Sequence, residues 1–284
     1  MSWFLDPFAP EFVQRALLGG ALVAVLCGVA GTWVVVRGMA FLGEALAHGM
    51  LPGVALATIL GLPVLLGAAV SAVAMSVGIG TVQRRGRLSY DTSIGLLFVG
   101  MLALGVVIIS HAGSFATDAT AILFGDILAL TPADLVVLVI AVVLGIATAI
   151  IAHRPLVALA VDERVACVLG LRPSWAQAAL VGLVTLAVVA SYQAVGSLLV
   201  VGLLVAPAVA ARQWTERLPT MMVLASVLGI LSVIGGIVVS WYAATATGAT
   251  IAGTAVTTAV LSWGLRAATE RLRRRALASA PVLA

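Results

Sequence analysis

Two hundred and eighty-four residues could make one or two soluble domains, but 63% of them are hydrophobic, only 9% are charged and the mean hydropathy is +1.23. Soluble chains carry ~25% charged residues, so 15 basic and 11 acidic side chains cannot solvate a globular surface of this size, which excludes a cytosolic enzyme, a nucleic-acid binder and a disordered regulator. Every basic residue is arginine, and 13 of the 15 fall in short loops between apolar stretches or in the tail, a pattern of membrane orientation rather than nucleic-acid binding despite the pI of about 9.8.

The segment Met1–Glu11 has no positive region and no small-residue cleavage site before its apolar run, so the first span is expected to remain in the mature protein. A transmembrane helix needs ~20 mostly apolar residues. Nine stretches of that kind follow in chain order: 13–36, 41–60, 62–82, 92–112, 133–152, 174–191, 194–211, 219–241 and 249–267. The fold class is therefore all-α, a polytopic membrane bundle of eight or nine helices, the lower number applying if one segment is re-entrant. The apolar piece 119–130, between Asp118 and Asp126, is too short to span and predicts an interfacial or re-entrant helix.

Cytoplasmic loops retain arginine and translocated loops do not. Arg84, Arg85 and Arg87 lie in one loop, Arg154, Arg164 and Arg172 in the next on the same side, then Arg212 and Arg217, then Arg266, Arg271, Arg273, Arg274 and Arg275 in the tail. This places the C-terminus in the cytoplasm and, with nine spans, the N-terminus outside, leaving Arg15 as the one dissenting charge. The whole chain, 1–284, reads as a single transmembrane domain, with 266–284 a cytoplasmic arginine-rich tail that attracts anionic membrane lipids.

Within the second span, Glu44 and His48 sit in RGMAFLGEALAHGMLPG (37–53). An ionisable residue inside a membrane helix costs at least ~2.5 kcal/mol and is by default functional. A spacing of four puts both on one helix face; counted from Arg37, they lie about 10 and 16 Å into the membrane. Carboxylate oxygen and imidazole nitrogen make half a coordination sphere for Mn²⁺, Fe²⁺ or Zn²⁺, which a second copy could complete. A proton relay and a Glu–His pair that merely stabilises packing are the other readings, and the order Glu-x-x-x-His does not fit the H-E-x-x-H zinc-protease signature.

Other residues have ordinary explanations. Gly38, Gly43, Gly49 and Gly53 permit close helix approach, Pro52 and Pro207 are common in membrane helices, and His111 sits at a helix end. Asp118, Asp126 and Asp134 make the outer face acidic, which either gathers cations or reflects arginine bias alone. Cys27 and Cys167 have no spacing that suggests a disulfide or a metal knot. The connection 153–173, about 20 residues long, is the longest on the arginine side, and within it 157–171 has a helical pattern that Asp162 and Glu163 start and Gly170 stops. It is either a docking surface or a plain interfacial connector.

Taken together, RGMAFLGEALAHGMLPG (37–53), SYDTSIGLLFVGMLALGVVIIS (89–110), LFGDILALTPADL (123–135), ALAVDERVACVLGL (158–171), VGSLLVVGLLVAPAVAA (195–211) and the hairpin SWYAATATGAT (240–250) resemble, in order and spacing, the permease subunit of the manganese/zinc/iron-type metal ABC importers. The resemblance implies a non-enzymatic permease in the plasma membrane of a bacterium that pairs with a second permease subunit, as a homodimer, binds a dimer of cytoplasmic ABC ATPases and receives its ion from an extracytoplasmic metal-binding protein. The family's intramembrane metal-coordinating acid and histidine fall on Glu44 and His48, and its ATPase-docking helix on Asp162, Glu163, Ala166 and Gly170. No cofactor is expected apart from the transported divalent metal ion; the chain has no G-x-x-x-x-G-K-[ST] phosphate loop, so ATP is bound by the partner ATPase alone, and no nucleic acid is expected. The chain departs from the family twice, with Glu44 in place of the usual Asp, and Ala244 and Ala246 where the last hairpin carries an acidic residue and Pro. Permeases for a siderophore or vitamin complex, and an ATPase-independent proton-coupled carrier, are the alternative readings.

Overall fold

The computed structural model describes residues 6–86, 88–111 and 127–278. The described residues form eleven α-helices: α1 Glu11–Val36, α2 Phe41–Gly49, α3 Leu51–Leu60, α4 Val64–Gly86, α5 Tyr90–His111, α6 Pro132–Ile151, α7 His153–Val161, α8 Glu163–Val168, α9 Pro173–Arg212, α10 Leu218–Ala243 and α11 Thr247–Ala278. Only the end of the predicted short segment 119–130 lies among them, and there Ile127–Ala129 is a single 3₁₀ turn; Asp118 and Asp126 lie outside the described residues.

Small residues place α1 at the centre. It is apolar all round, as a fully enclosed helix must be, and 78% of its apolar window is buried, against 17–61% for the other candidate spans. Without a hydrophobic force between helices in lipid, close packing depends on side chains that let backbones approach. On one face, a methyl group added at Gly28 would meet Ser226, and one at Gly20 would meet Val233, so α10 runs antiparallel to α1. On another, Gly31 admits the carbonyl of Leu204.

The segment expected as two spans, 174–191 and 194–211, forms two helical limbs of α9, parted at Gly196, where the chain reverses. Straight, it would be about 60 Å long. Instead Gln177 lines a cavity with Arg37, Ser191 lies beside Cys27, Cys27 Sγ is 4.0 Å from the carbonyl of Val200, and Arg212 donates to the carbonyl of Val35 at 3.2 Å. The first limb thus climbs from the level of Arg37 past Cys27, and the second returns beside α1 to Val35. Gly196, at φ 73° and ψ 168°, occupies a region essentially reserved for glycine. Among the described residues there are therefore eight helices long and apolar enough to cross a membrane, plus the shorter apolar limb Leu199–Arg212. That is the lower of the two expected numbers, with the second limb of α9 as a shorter hairpin arm.

This topology gathers the arginines. Arg37 and Arg85 share a cavity, Arg154 follows His153, whose ring packs edge-on against Trp33 5.7 Å away, and Ser262 bridges Trp214 and the carbonyl of Ala210, bringing Arg266 to the level of Arg212. We call this the arginine end. Arg15, the dissenter, is paired with Glu11 at 3.5 Å in the first turn of α1. Asp134 serves as half of a capping box: Thr131 Oγ1 accepts from Asp134 N at 3.3 Å and Asp134 Oδ2 accepts from Thr131 N at 3.0 Å. Its carboxylate is engaged in starting α6.

Candidate functional site: a carboxylate and imidazole in a membrane span

Glu44 and His48 reach their positions because of what flanks them. Gly38, at φ 68°, turns the chain out of α1, and Arg37 donates to the carbonyl of Leu159, pinning that turn to α7. The turn means that α2 starts only at Phe41, so from the helix's first residue Glu44 lies about 5 Å and His48 about 11 Å along the axis, shallower than a continuous rise from Arg37 implies. Gly43 rests on the side chain of Leu204, Gly49 on Met75 of α4 and Gly53 on the carbonyl of Gly67. These contacts clamp α2 and α3 between α4 and the second limb of α9.

His48 Nε2 and Glu44 Oε1 are 2.9 Å apart. The pair is not sealed in the core: the Glu44 side chain is 38% exposed and that of His48 20%, although residues 45–47 between them are buried. The carboxylate is thus only partly covered by this chain's own packing. Phe98 of α5 packs edge-on to the imidazole, with centroids 5.7 Å apart, and to Phe41 at 5.3 Å, while His48 Nδ1 is buried with no hydrogen-bond partner. Phe98 had no signature in the sequence, because its contact with His48 joins two different helices. Among the described residues, no group of three or more His, Cys, Asp or Glu side chains could hold a metal ion. Glu44 and His48 thus stand as a pair.

At the arginine end, the helix expected over 157–171 is broken. α7 stops at Val161, Asp162 is extended (φ −165°, ψ 140°), and α8 begins at Glu163. Asp162 is not a first-turn charge but a cap, since its Oδ1 accepts from Arg164 N at 2.6 Å. Gly170, at φ 70°, closes α8, with Leu171 N bonding back to the carbonyl of Ala166. Ala166 faces inward at 1% exposure, whereas its neighbours Val168 and Leu169 stand out at 87% and 63%. Those two apolar side chains, passed over in the sequence, stand exposed on this motif. At the opposite end, Ala244 takes a left-handed conformation (φ 51°), and Ser240 Oγ closes the last hairpin by donating to the carbonyl of Thr245 at 2.6 Å. The hairpin holds without the acid and proline. Cys27 is buried, Cys167 is exposed, and both thiols are free.

Eight membrane-length helices, with α1 enclosed among the others and an ionisable pair inside one of them, define a polytopic membrane protein. Residues 9–265 match the model of the ABC 3 transport family, and the chain belongs to that family. It is similar to the manganese transport system membrane protein MntC of Listeria monocytogenes serovar 1/2a, 36% identical over 239 residues, which cover 84% of this chain and 85% of the relative. It is also similar to the chelated iron transport system membrane protein YfeD of Yersinia pestis, 30% identical over 247 residues, or 87% and 83% of the two chains. The solved structure of PsaBC from Streptococcus pneumoniae in complex with Fab contains a chain that superposes with a TM-score of 0.80 at 31% identity, covering 92% of this chain and 94% of that one. The chain is thus a transporter's membrane subunit and not an enzyme.

Proposed function

We propose that this chain is the permease of an ABC importer for a divalent transition metal ion, of the manganese and iron class, and that Glu44 and His48 are its ligands to the cargo within the membrane. The observation that carries the reading is the pair's geometry: two donors of the type such ions prefer, 2.9 Å apart and partly exposed, in a membrane-length segment with no other charged residue. Metal bonds to nitrogen and oxygen run about 2.0–2.2 Å, so two ligands at this separation suit adjacent corners of one sphere. The named cargoes of the manganese and iron relatives support the same class.

Two donors do not hold an ion against water, and the partly exposed carboxylate is placed to meet a second copy of the chain across a two-fold axis. In this reading the subunit works as a homodimer in the bacterial plasma membrane with its arginine end and C-terminus in the cytoplasm. An extracytoplasmic binding protein delivers the ion at the other end, and a cytoplasmic ATPase dimer docks on α7 and α8 through Asp162, Glu163, Gly170 and the exposed Val168 and Leu169. ATPase closure would then move α7, and with it Arg37, which bonds to Leu159 and begins the turn into α2. The glutamate, one methylene longer than the family's aspartate, reaches further toward the partner. Equilibrium binding of Mn²⁺ to the purified permease tests this directly: one ion per two chains, abolished by either Glu44→Ala or His48→Ala, is expected. One ion per chain that survives both substitutions would refute it.

A further inference from the structure

A cavity of about 1090 Å³ opens at the arginine end between α4 and the first limb of α9, and neither Glu44 nor His48 lines it. Its walls change character with depth. At the mouth stand Arg37, Arg85, Asp91 and Gln177. About 18 Å along α4 from Arg85, at 1.5 Å per residue, the lining becomes aliphatic, with Val73 of α4 and Leu186 of α9 among it. Between these levels Ser76 and Thr185, 2.8 Å apart, tie the two helices.

Charge decides what such a cleft accepts. Two guanidinium groups outweigh one carboxylate, and among the described residues none of the three is in an ion pair; Arg37 engages only the carbonyl of Leu159. A net positive mouth repels a divalent cation, so this is a poor route for the cargo. It attracts a phosphate, and an aliphatic wall behind a phosphate-binding mouth matches a phospholipid rather than a free anion. We propose that this cleft holds one anionic phospholipid from the leaflet at the arginine end, its phosphate on Arg37 and Arg85 and an acyl chain along α4 and α9. The inference rests on the membrane placement of the helices and is independent of the metal reading.

Two glycines on the cleft make it testable. A Cβ added at Gly80 or Gly182, both on the cleft wall, meets no atom within 4 Å, so Gly182→Phe starts its side chain in open space on the cleft. The full chain, purified in neutral detergent, is offered phosphatidylglycerol or phosphatidylcholine, with and without excess inorganic phosphate, and bound lipid is counted by native mass spectrometry. Wild type should retain one phosphatidylglycerol per chain about tenfold more tightly than phosphatidylcholine, as expected for charge-assisted hydrogen bonds. Arg85→Gln should erase the preference, Arg85→Lys keep most of it, and Gly182→Phe weaken both lipids, with an unchanged thermal midpoint confirming its fold. Equal retention of the two lipids by wild type, or full retention by Gly182→Phe, would overturn the proposal. So would displacement by inorganic phosphate, which would make this a free-anion site, or a shift of Gly182→Phe from dimer to monomer with lipid retention intact, which would make the cleft an interface between copies.

Discussion

Replacing Gly31 with alanine should damage the protein out of proportion to one methyl group. Its Cβ would land on the main-chain carbonyl of Leu204, whose side chain in turn bears on Gly43, next to Glu44. A flexible side chain could rotate away, but a helical carbonyl cannot, so the second limb of α9 must shift and carry Leu204 against α2. Gly100 on α5 is the matched control, since a Cβ there meets nothing within 4 Å. Both substitutions gain about 1 kcal/mol of helix propensity, so the difference between them isolates the overlap. Overpacking typically costs about 1–3 kcal/mol, and at roughly 2–4 °C per kcal/mol for a chain of this size the thermal midpoint of Gly31→Ala should fall roughly 2–12 °C below that of Gly100→Ala. Scanning fluorimetry in detergent reads that difference, and vesicle uptake should drop for Gly31→Ala alone. Equal midpoints and equal uptake for the two variants would refute the packing argument.

Thr131→Ala removes one partner of the capping box that starts α6 and should cost about 1 kcal/mol, a few degrees in the same assay, with uptake per folded molecule unchanged. At Asp162, asparagine caps a helix as well as aspartate does and alanine does not. If the start of α8 positions an ATPase-docking surface, Asp162→Ala should lower permease-dependent ATPase stimulation severalfold while Asp162→Asn retains it; equal activity in the two would remove the cap from the coupling. Val168→Asp, at an apolar position 87% exposed, should weaken co-purification of the ATPase without moving the thermal midpoint, and unchanged co-purification would place the docking surface elsewhere.

Hydropathy made most of the bundle legible, because a helix must supply enough apolar residues to cross lipid whatever its neighbours are, and seven of the expected spans fall on α1 to α6, α10 and α11 with small boundary shifts. It failed at α9. A reversal at Gly196 between two apolar limbs leaves the same composition as two crossings, and only backbone conformation separates them. The break at Asp162 escaped for a similar reason, since an aspartate before a helical run can be a first-turn charge or a cap, and the periodicity on either side is the same. Glu44 and His48 were readable because a spacing of four is local; the carbonyl of Leu159 on Arg37 and the ring of Phe98 on His48 are long-range contacts with no local trace. Gly28 and Gly31 on α1 could have been found, as a small-residue face inside an apolar span is itself a packing signal.

Uptake is the most direct test of the central claim. ATP-dependent accumulation of Mn²⁺, Fe²⁺ and Zn²⁺ is measured in vesicles that hold the permease with its ATPase and binding protein, for wild type, Glu44→Ala and His48→Ala. Loss of uptake in both variants, with ATPase assembly intact, is the predicted result and names the cargo. Undiminished uptake in either variant would contradict a transport site built on Glu44 and His48.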